Sequence, residues 1–493
     1  MFGAAAILVL IALAAIATWV WQSFGSAAQP RIAIAAADGT PLSRQVANTL
    51  TLALPSLPGA DTSKYELVDA EDASSAKADL VLTTGASSSG GHEHRDLALR
   101  AQNGAVLWAV SLDQPAANAG NLPRQLAVQA ERALSCAADA LSYRRERIRQ
   151  DTLKIYLSGC TNFDNAYGSN PNNSDQVRLF EQVLAAAPHF QPAWARLFIS
   201  EIDELPSLDD PAALQRTMTG QIAQAQKLGL DFGELYAARA AALSPADFLG
   251  IFAAYTEGIK RHSDNAALLR SCAERLLYVG RMADSVSYSA EAVELDPLSL
   301  ANQETLASSY AYAGNAEAAY AQLKKAEQLW PGAPALTNAR YRLDLRYGDP
   351  KEALALLQDA SLGPMQAEQA AFIRARLDPT PENVARAIAE DEKIYRQYPA
   401  FIAGIVQTLG QFGQKDEVLD ILLHYNGGEQ SGLAAEVLFR PALRDVWRDP
   451  RSMAAATHLG LLHYWKVSGQ WPDFCADPTL PYDCKKEAAK YRV

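Results

Sequence analysis

The chain is short of positive charge. Its 44 Lys and Arg residues face 56 Asp and Glu, for a net charge of −12 over 493 residues. A nucleic-acid surface needs a basic patch to release counterions, so direct nucleic-acid binding is not expected. Catalytic signatures are missing too. There is no P-loop, no Gly-x-Gly-x-x-Gly dinucleotide loop, no His-Glu-x-x-His and no Gly-x-Ser-x-Gly elbow. Without a convergent acid, base and nucleophile set, an enzyme is not expected, and no cofactor is implied. Histidine is scarce at seven residues, and neither Cys-x-x-Cys nor His-x-x-x-His spacing occurs. The one metal-like string is His92-Glu93-His94. Alternation puts both imidazoles on one face of a strand, but a full site needs three or four ligands, so no metal is expected there. Asn172-Asn173-Ser174 fits a glycosylation acceptor but reads better as turn chemistry.

What the chain has in quantity is helix-forming residues after position 120, and a ruler. Gly280, Gly314 and Gly348 are each 34 residues apart, and Pro297 and Pro331 keep the same period. A 34-residue period, with Gly between two helical stretches and Pro after the second, is the mark of stacked helix-turn-helix repeats. Such a unit cannot bury its apolar face alone, so neighbours stack into a superhelix with a groove. The clearest repeats begin at Ala266, Leu300 and Pro334. Ala273 and Ala307 on the first helix, and Ala292 and Ala326 on the second, leave room for close helix crossing. Degenerate units extend the pattern on both sides.

The first residues differ. Phe2–Trp21 is an uncharged run of 20 residues, about 30 Å as a helix, enough to span a hydrocarbon core. A cleaved signal peptide ending near Ser26-Ala27-Ala28 is the rival reading. The length of the run and the lack of Lys or Arg ahead of it favour an uncleaved anchor. Five cysteines are present. Cys475 and Cys484 flank a short Pro-containing loop, and Cys136 and Cys160 form a plausible second pair. Cys272 is left as a small buried hydrophobe. Bridges would imply an oxidising compartment, and reduced cytosolic thiols are the alternative. With the anchor, the expected location is single-pass in an inner membrane with the body in the periplasm.

The resulting fold is mainly α, a helical solenoid preceded by one transmembrane helix and a small α/β domain. Residues 1–22 are expected to be the transmembrane helix and 23–30 a linker. Residues 31–151 form the α/β domain, 152–440 the repeat array and 441–493 a C-terminal cap. In the α/β domain, Arg31–Ala37 reads as a strand, Pro41–Leu57 as a helix, and Tyr65–Asp69 and Ala78–Thr84 as further strands. Asn103-Gly104 joins two alternating strands as a hairpin. Leu122–Asp151 reads as one long helix with a charged, solvated end.

On the repeat pattern, the chain resembles tetratricopeptide repeat (TPR) proteins over about 152–440, most specifically in 266–360. The resemblance implies that the concave surface comes from set positions on the first helix of each repeat. Those positions hold Arg270, Glu274 and Tyr278; Glu304, Ser308 and Tyr312; and Asn338, Arg342 and Arg346. Leu277 and Leu345 fall among them. Tyr278 and Tyr312, one period apart, would form an aromatic ladder, and Tyr and Arg favour binding hot spots. The Lys and Asn arrangement that clamps terminal carboxylates in some such repeats is not matched. The order of segments also resembles the outer half of membrane-integrated winged-helix transcription regulators of proteobacteria. The hairpin Asp96–Asp113, with Asn103, Gly104 and Trp108, resembles the α/β segment found there and in TolB-like proteins. The winged-helix domain that precedes the membrane helix in that family is not expected in this chain. The implied function is therefore a membrane-anchored periplasmic adaptor with a protein or peptide partner in its groove and the membrane held through residues 2–21. The alternative is the sensor portion of such a regulator, without its DNA-binding part.

Overall fold

The computed structural model describes residues 29–60, 63–68, 78–166, 174–208, 210–357, 367–425 and 431–492. The expected placement as a single-pass membrane protein is corrected: no helix among the described residues is long and apolar enough to cross a membrane. The run Phe2–Trp21, which carried that expectation, lies outside the described residues, as do Asn172 and Asn173.

The first domain is built on five strands: β1 Arg31–Ala36, β2 Glu66–Val68, β3 Leu80–Ser89, β4 His92–Ala101 and β5 Val106–Pro115. Their spatial order is β2-β1-β3-β4-β5. β1 pairs in parallel with β2 and β3, whereas β3, β4 and β5 form an antiparallel meander. Alternation works as expected: Leu80, Leu82 and Thr84 are buried while the residues between them are partly open. The β4–β5 turn forms at Asn103-Gly104, with Gly104 at φ 79°. Two helices complete the domain, α1 Pro41–Ala53 and α2 Leu122–Ser142. The Thr40 hydroxyl caps α1 by accepting from the Ser43 N–H at 3.2 Å, and Pro41 sits in the first turn, where it gives up no helical bond.

The long helix expected over 122–151 is broken. α2 stops at Ser142, and the next helix runs Gln150–Ala166. The charged stretch between them is a strap tied to loops of the array. The Tyr143 hydroxyl donates to the His189 carbonyl at 2.8 Å, and Arg145 donates to the carbonyls of Leu228 (2.7 Å) and Gly229 (2.9 Å). These loop carbonyls have no helical partner, so the guanidinium and phenol take the place of water.

Helical pairs follow. The regular ones are Ala266–Leu277 with Met282–Leu295, Leu300–Tyr312 with Ala316–Leu329, and Pro334–Arg346 with Pro350–Leu356. Their first helices begin at the three positions given by the sequence period. Asn265, Ser299 and Asn315 cap three of these helices by accepting from the backbone N–H three residues on. Ala273, Ala292, Ala307 and Ala326 are all buried at the crossings. The architecture is thus a mainly α, TPR-like solenoid behind a small α/β domain.

The stack is covered along two edges. On the edge that carries the prolines lies the α/β domain. Arg132 of α2 donates to the Leu298 carbonyl at 3.0 Å and lies over the Trp330 ring at 5.6 Å. A Cβ at Gly59 would stand 2.5 Å from Pro297, so the domain approaches closely there. On the edge that carries the glycines lies the C-terminal segment. The Trp465 indole N–H donates to the Val279 carbonyl at 3.0 Å, and the Asp473 N–H donates to the Gly280 carbonyl at 2.9 Å. The buried core divides accordingly. One cluster joins the sheet to the early helices and to residues 298–343, and another joins residues 236–312 to 402–488.

Two cysteine pairs stand at bonding distance. Cys136 and Cys160 join α2 to the following helix, with S–S 2.03 Å. Cys475 and Cys484 close a loop in the C-terminal segment, with S–S 1.99 Å. Cys272 is buried and free, and burial pushes its thiol up to about 12, which leaves it protonated and unreactive.

Candidate functional site

The first helices of the regular repeats present the residues expected to line a groove, but most of them are engaged within the chain. Arg270 is buried and bridges Asp203 (2.9 Å) and Glu274 (3.0 Å). Glu274 also accepts from the Thr305 hydroxyl at 2.8 Å. Glu304 is buried and paired with Arg342. Tyr278 is half-buried with the Arg275 guanidinium 5.0 Å from its ring, and burial pushes its phenol up to about 12. Ser308 and Asn338 are half-buried, and Ser308 lines a crevice with Tyr312, Arg342 and Arg346.

The expected Tyr278–Tyr312 ladder gives way to another contact. The ring that meets Tyr312 is Tyr347, with centroids 6.4 Å apart. The Tyr312 hydroxyl accepts from Arg440 Nε at 3.0 Å. Arg440 belongs to the far end of the array, 128 residues downstream. Arg440, just after the helix Ser431–Leu438, thus reaches the face expected to form the groove at Tyr312. A period reports what each repeat offers its neighbour, not what a distant segment does to its open face.

Open space remains beside that contact, in a cleft of about 530 Å³. One wall is the pair of repeat turns at Gly280 and Ala313-Gly314, and the other is the segment Phe439–Arg448 with Asp473–Leu480. Phe439 stacks on Trp447 at 4.9 Å and Trp447 on Phe474 at 4.8 Å, a three-ring floor. Arg444 and Arg448 stand at the rim. Both face Asp477, at 3.5 and 3.4 Å. Arg444 still leaves 74% of its side chain exposed, so its donors are available. The Thr479 backbone N–H and hydroxyl, which donate to Asp477, hold that carboxyl below its usual range. The cleft therefore offers an aromatic floor, the exposed guanidinium of Arg444 and a bare Ala-Gly shelf that a backbone can approach, while Arg448 donates to the Thr479 hydroxyl and carbonyl.

Known proteins add little. No family model matches the chain, and no curated protein shows a matching sequence. Among solved structures the fold is similar to the crystal structure of the yeast Tom70, at 17% identity over 73% of this chain and 68% of that one, with TM-score 0.30. It is also similar to the crystal structure of the APC/C hetero-tetramer Cut9–Hcn1, at 14% identity over 72% and 82%, with TM-score 0.31. Overlap this slight carries no argument about the site. The resemblance to membrane-integrated transcription regulators gains no support.

Sequence reasoning missed the residues that matter most here: Phe439, Arg440, Arg444, Trp447 and Arg448. A signal was present. Residues 439–451 hold four arginines, Phe439 and Trp447, a density of hot-spot residue types that periodicity ignores. The His92-Glu93-His94 string forms part of β4, and both imidazole Nδ1 atoms reach Asp113 Oδ1, at 3.0 and 3.3 Å. Among the described residues, no group of three His, Cys, Asp or Glu is arranged to hold a metal ion.

Proposed function

We propose that the chain is a non-enzymatic adaptor that takes a segment of another protein into the cleft between the Gly280 and Gly314 turns and the C-terminal segment. The observation that supports this reading is the cleft itself: a stacked Phe439-Trp447-Phe474 floor under the exposed guanidinium of Arg444. Aromatic rings and arginine bring large contact area and directional donors, and they dominate binding energy at protein interfaces. An apolar side chain of the partner would rest on the rings, and its carbonyls or carboxylates would meet Arg444. The α/β domain has a different part in this reading. It braces the opposite edge, so that the two turns keep their spacing.

The test is site-specific photo-crosslinking of the full chain in its host. A crosslinker at Ala313, on the shelf, should give discrete adducts with another protein. One at Leu52, exposed on α1, should not. Arg444→Glu should abolish the Ala313 adducts. Equal adducts from both positions, or adducts indifferent to Arg444→Glu, would remove the assignment.

A further inference from the structure

A second cavity lies between the third regular repeat and the helices that follow. It encloses about 250 Å³. Its donors come from three elements. Arg346 ends the helix Pro334–Arg346, Gln407 lies on the helix Ile402–Gln411, and Arg440 follows the helix Ser431–Leu438. Arg346 is half-buried, and among the described residues no acceptor takes a hydrogen bond from its guanidinium. Burial, and then the nearby Arg440 charge, pull its pKa down to about 9. A guanidinium keeps its proton at neutral pH, so an anion placed beside Arg346 would be favoured.

Gln407 makes a second, independent demand. It is 5% exposed, and its Oε1 accepts from Arg440 Nη1 at 3.3 Å. That bond fixes the amide with Nε2 as the remaining group, and Nε2 is buried without a partner. A buried donor without an acceptor costs about 1–3 kcal/mol, so a ligand acceptor there would be favoured. The acids nearby are already committed. Glu436 takes Arg440 Nη2 at 2.8 and 3.0 Å, and Asp391, on the cavity wall, accepts from the Thr408 hydroxyl at 2.5 Å.

The lining also has an apolar part, made by Leu345, Phe372, Phe401 and Ala403. Gly404 makes that part possible, since a Cβ there would stand 2.5 Å from the Phe401 ring. The free Arg346 guanidinium, the unsatisfied Gln407 Nε2 and two phenyl rings in one lining suit a small amphipathic monoanion. The volume lies just below the range of drug-sized sites, about 300–1,000 Å³, so the ligand is small.

From this geometry we infer a binding site for a small organic acid, its carboxylate held by Arg346 and Gln407 Nε2 and its apolar body against Phe372 and Phe401. The site goes beyond the adaptor reading and does not depend on it. Because Arg440 lines both this cavity and the cleft, an acid bound here would stiffen the element that reaches Tyr312.

Isothermal titration of the full chain with phenylacetate and benzoate tests the site, with phenylacetamide as the neutral isostere and sodium sulfate as the inorganic anion. The acids should bind saturably, and the amide at least about tenfold more weakly, the loss expected for about 1.4 kcal/mol. Arg346→Met should lower acid affinity by about tenfold or more, and Arg346→Lys should retain part of it. Gln407→Leu removes the second donor without changing charge and should also weaken the acids, which keeps the test decisive if Arg346→Met does not fold. Several results would overturn the site: no acid binding up to about 10 mM (weaker than about −3 kcal/mol), acid and amide binding alike, or both variants binding as the parent does. Sulfate binding more tightly than either acid would overturn the apolar half of the assignment.

Discussion

The two edges of the helical stack are held by different chemistry. On the proline edge the α/β domain reaches loop carbonyls with the buried guanidinium of Arg132, which also lies over Trp330. Burial lowers that guanidinium to about 10, the mark of a charge held at some cost. On the glycine edge the C-terminal segment uses an indole N–H, backbone bonds and a stack of aromatic rings, and its buried guanidinium, Arg440, is paired with Glu436. The glycines themselves show why. Gly280 has φ 80°, and a Cβ on it would stand 2.7 Å from both Phe439 and Pro472. Gly314 has φ 79° and open space around it. Gly348 sits against the Tyr320 hydroxyl, which donates to Asp344. One period thus places three glycines in three situations: a docking point, a plain turn, and a gap kept for a tyrosine.

If the glycine edge is the stronger, removing its anchor should do the most damage. Trp465 is fully buried, and Trp465→Ala should cost about 4 kcal/mol in denaturant unfolding. A loss below about 1 kcal/mol would mean that the C-terminal segment is not part of the same cooperative unit. Next come the bridges. The chain-entropy relation gives about 3.4 kcal/mol for the 24-residue separation of Cys136–Cys160 and about 2.6 kcal/mol for the 9-residue separation of Cys475–Cys484. Non-reducing peptide mapping should show both links with Cys272 free, and paired Ser variants should rank in that order. Free thiols at all five positions would remove this part of the comparison.

Gly280 and Gly314 sharpen the contrast within one edge. Alanine at either position takes on a left-handed backbone, about 1–2 kcal/mol. Only Gly280→Ala also meets Phe439 and Pro472, for about 1–3 kcal/mol more. Equal melting shifts for the two variants would show that the C-terminal segment does not press on the turn. The smallest effect is expected on the proline edge. Arg132→Met replaces a buried cation by an apolar chain of similar length and leaves the Leu298 carbonyl without that donor, so the net loss should be about 1 kcal/mol. A loss above about 3 kcal/mol would reverse the ranking of the edges.

Much of the architecture was legible because it is local. The 34-residue period located the starts of the helices at Ala266, Leu300 and Pro334, since helix starts depend on caps and prolines within a few residues. Asn103-Gly104 located the hairpin for the same reason. The break after Ser142 was not legible. The stretch Tyr143–Arg149 has acceptable helix-forming residues, and its bonds to His189, Leu228 and Gly229 are made across 46 to 84 positions. The groove was legible only in outline. Its residue positions follow from the repeat, but Arg270 and Glu304 turned out to be internal ion-pair partners.

The sequence by itself determined a repeat of helical pairs, a small sheet ahead of it, and the small residues that let the helices cross. Each of those is decided between neighbours in the chain or in the stack. Only the tertiary structure decided which faces stay open. Tyr312 reads as a groove residue until Arg440, 128 positions away, donates to its hydroxyl, and Gly280 reads as a turn until Phe439 lies against it. The physical reason is that a solenoid's period encodes contacts between adjacent repeats, whereas the docking of its ends depends on surfaces that meet only after the chain has curved. That late meeting leaves the aromatic cleft beside Gly280 and the donor-lined cavity at Arg346.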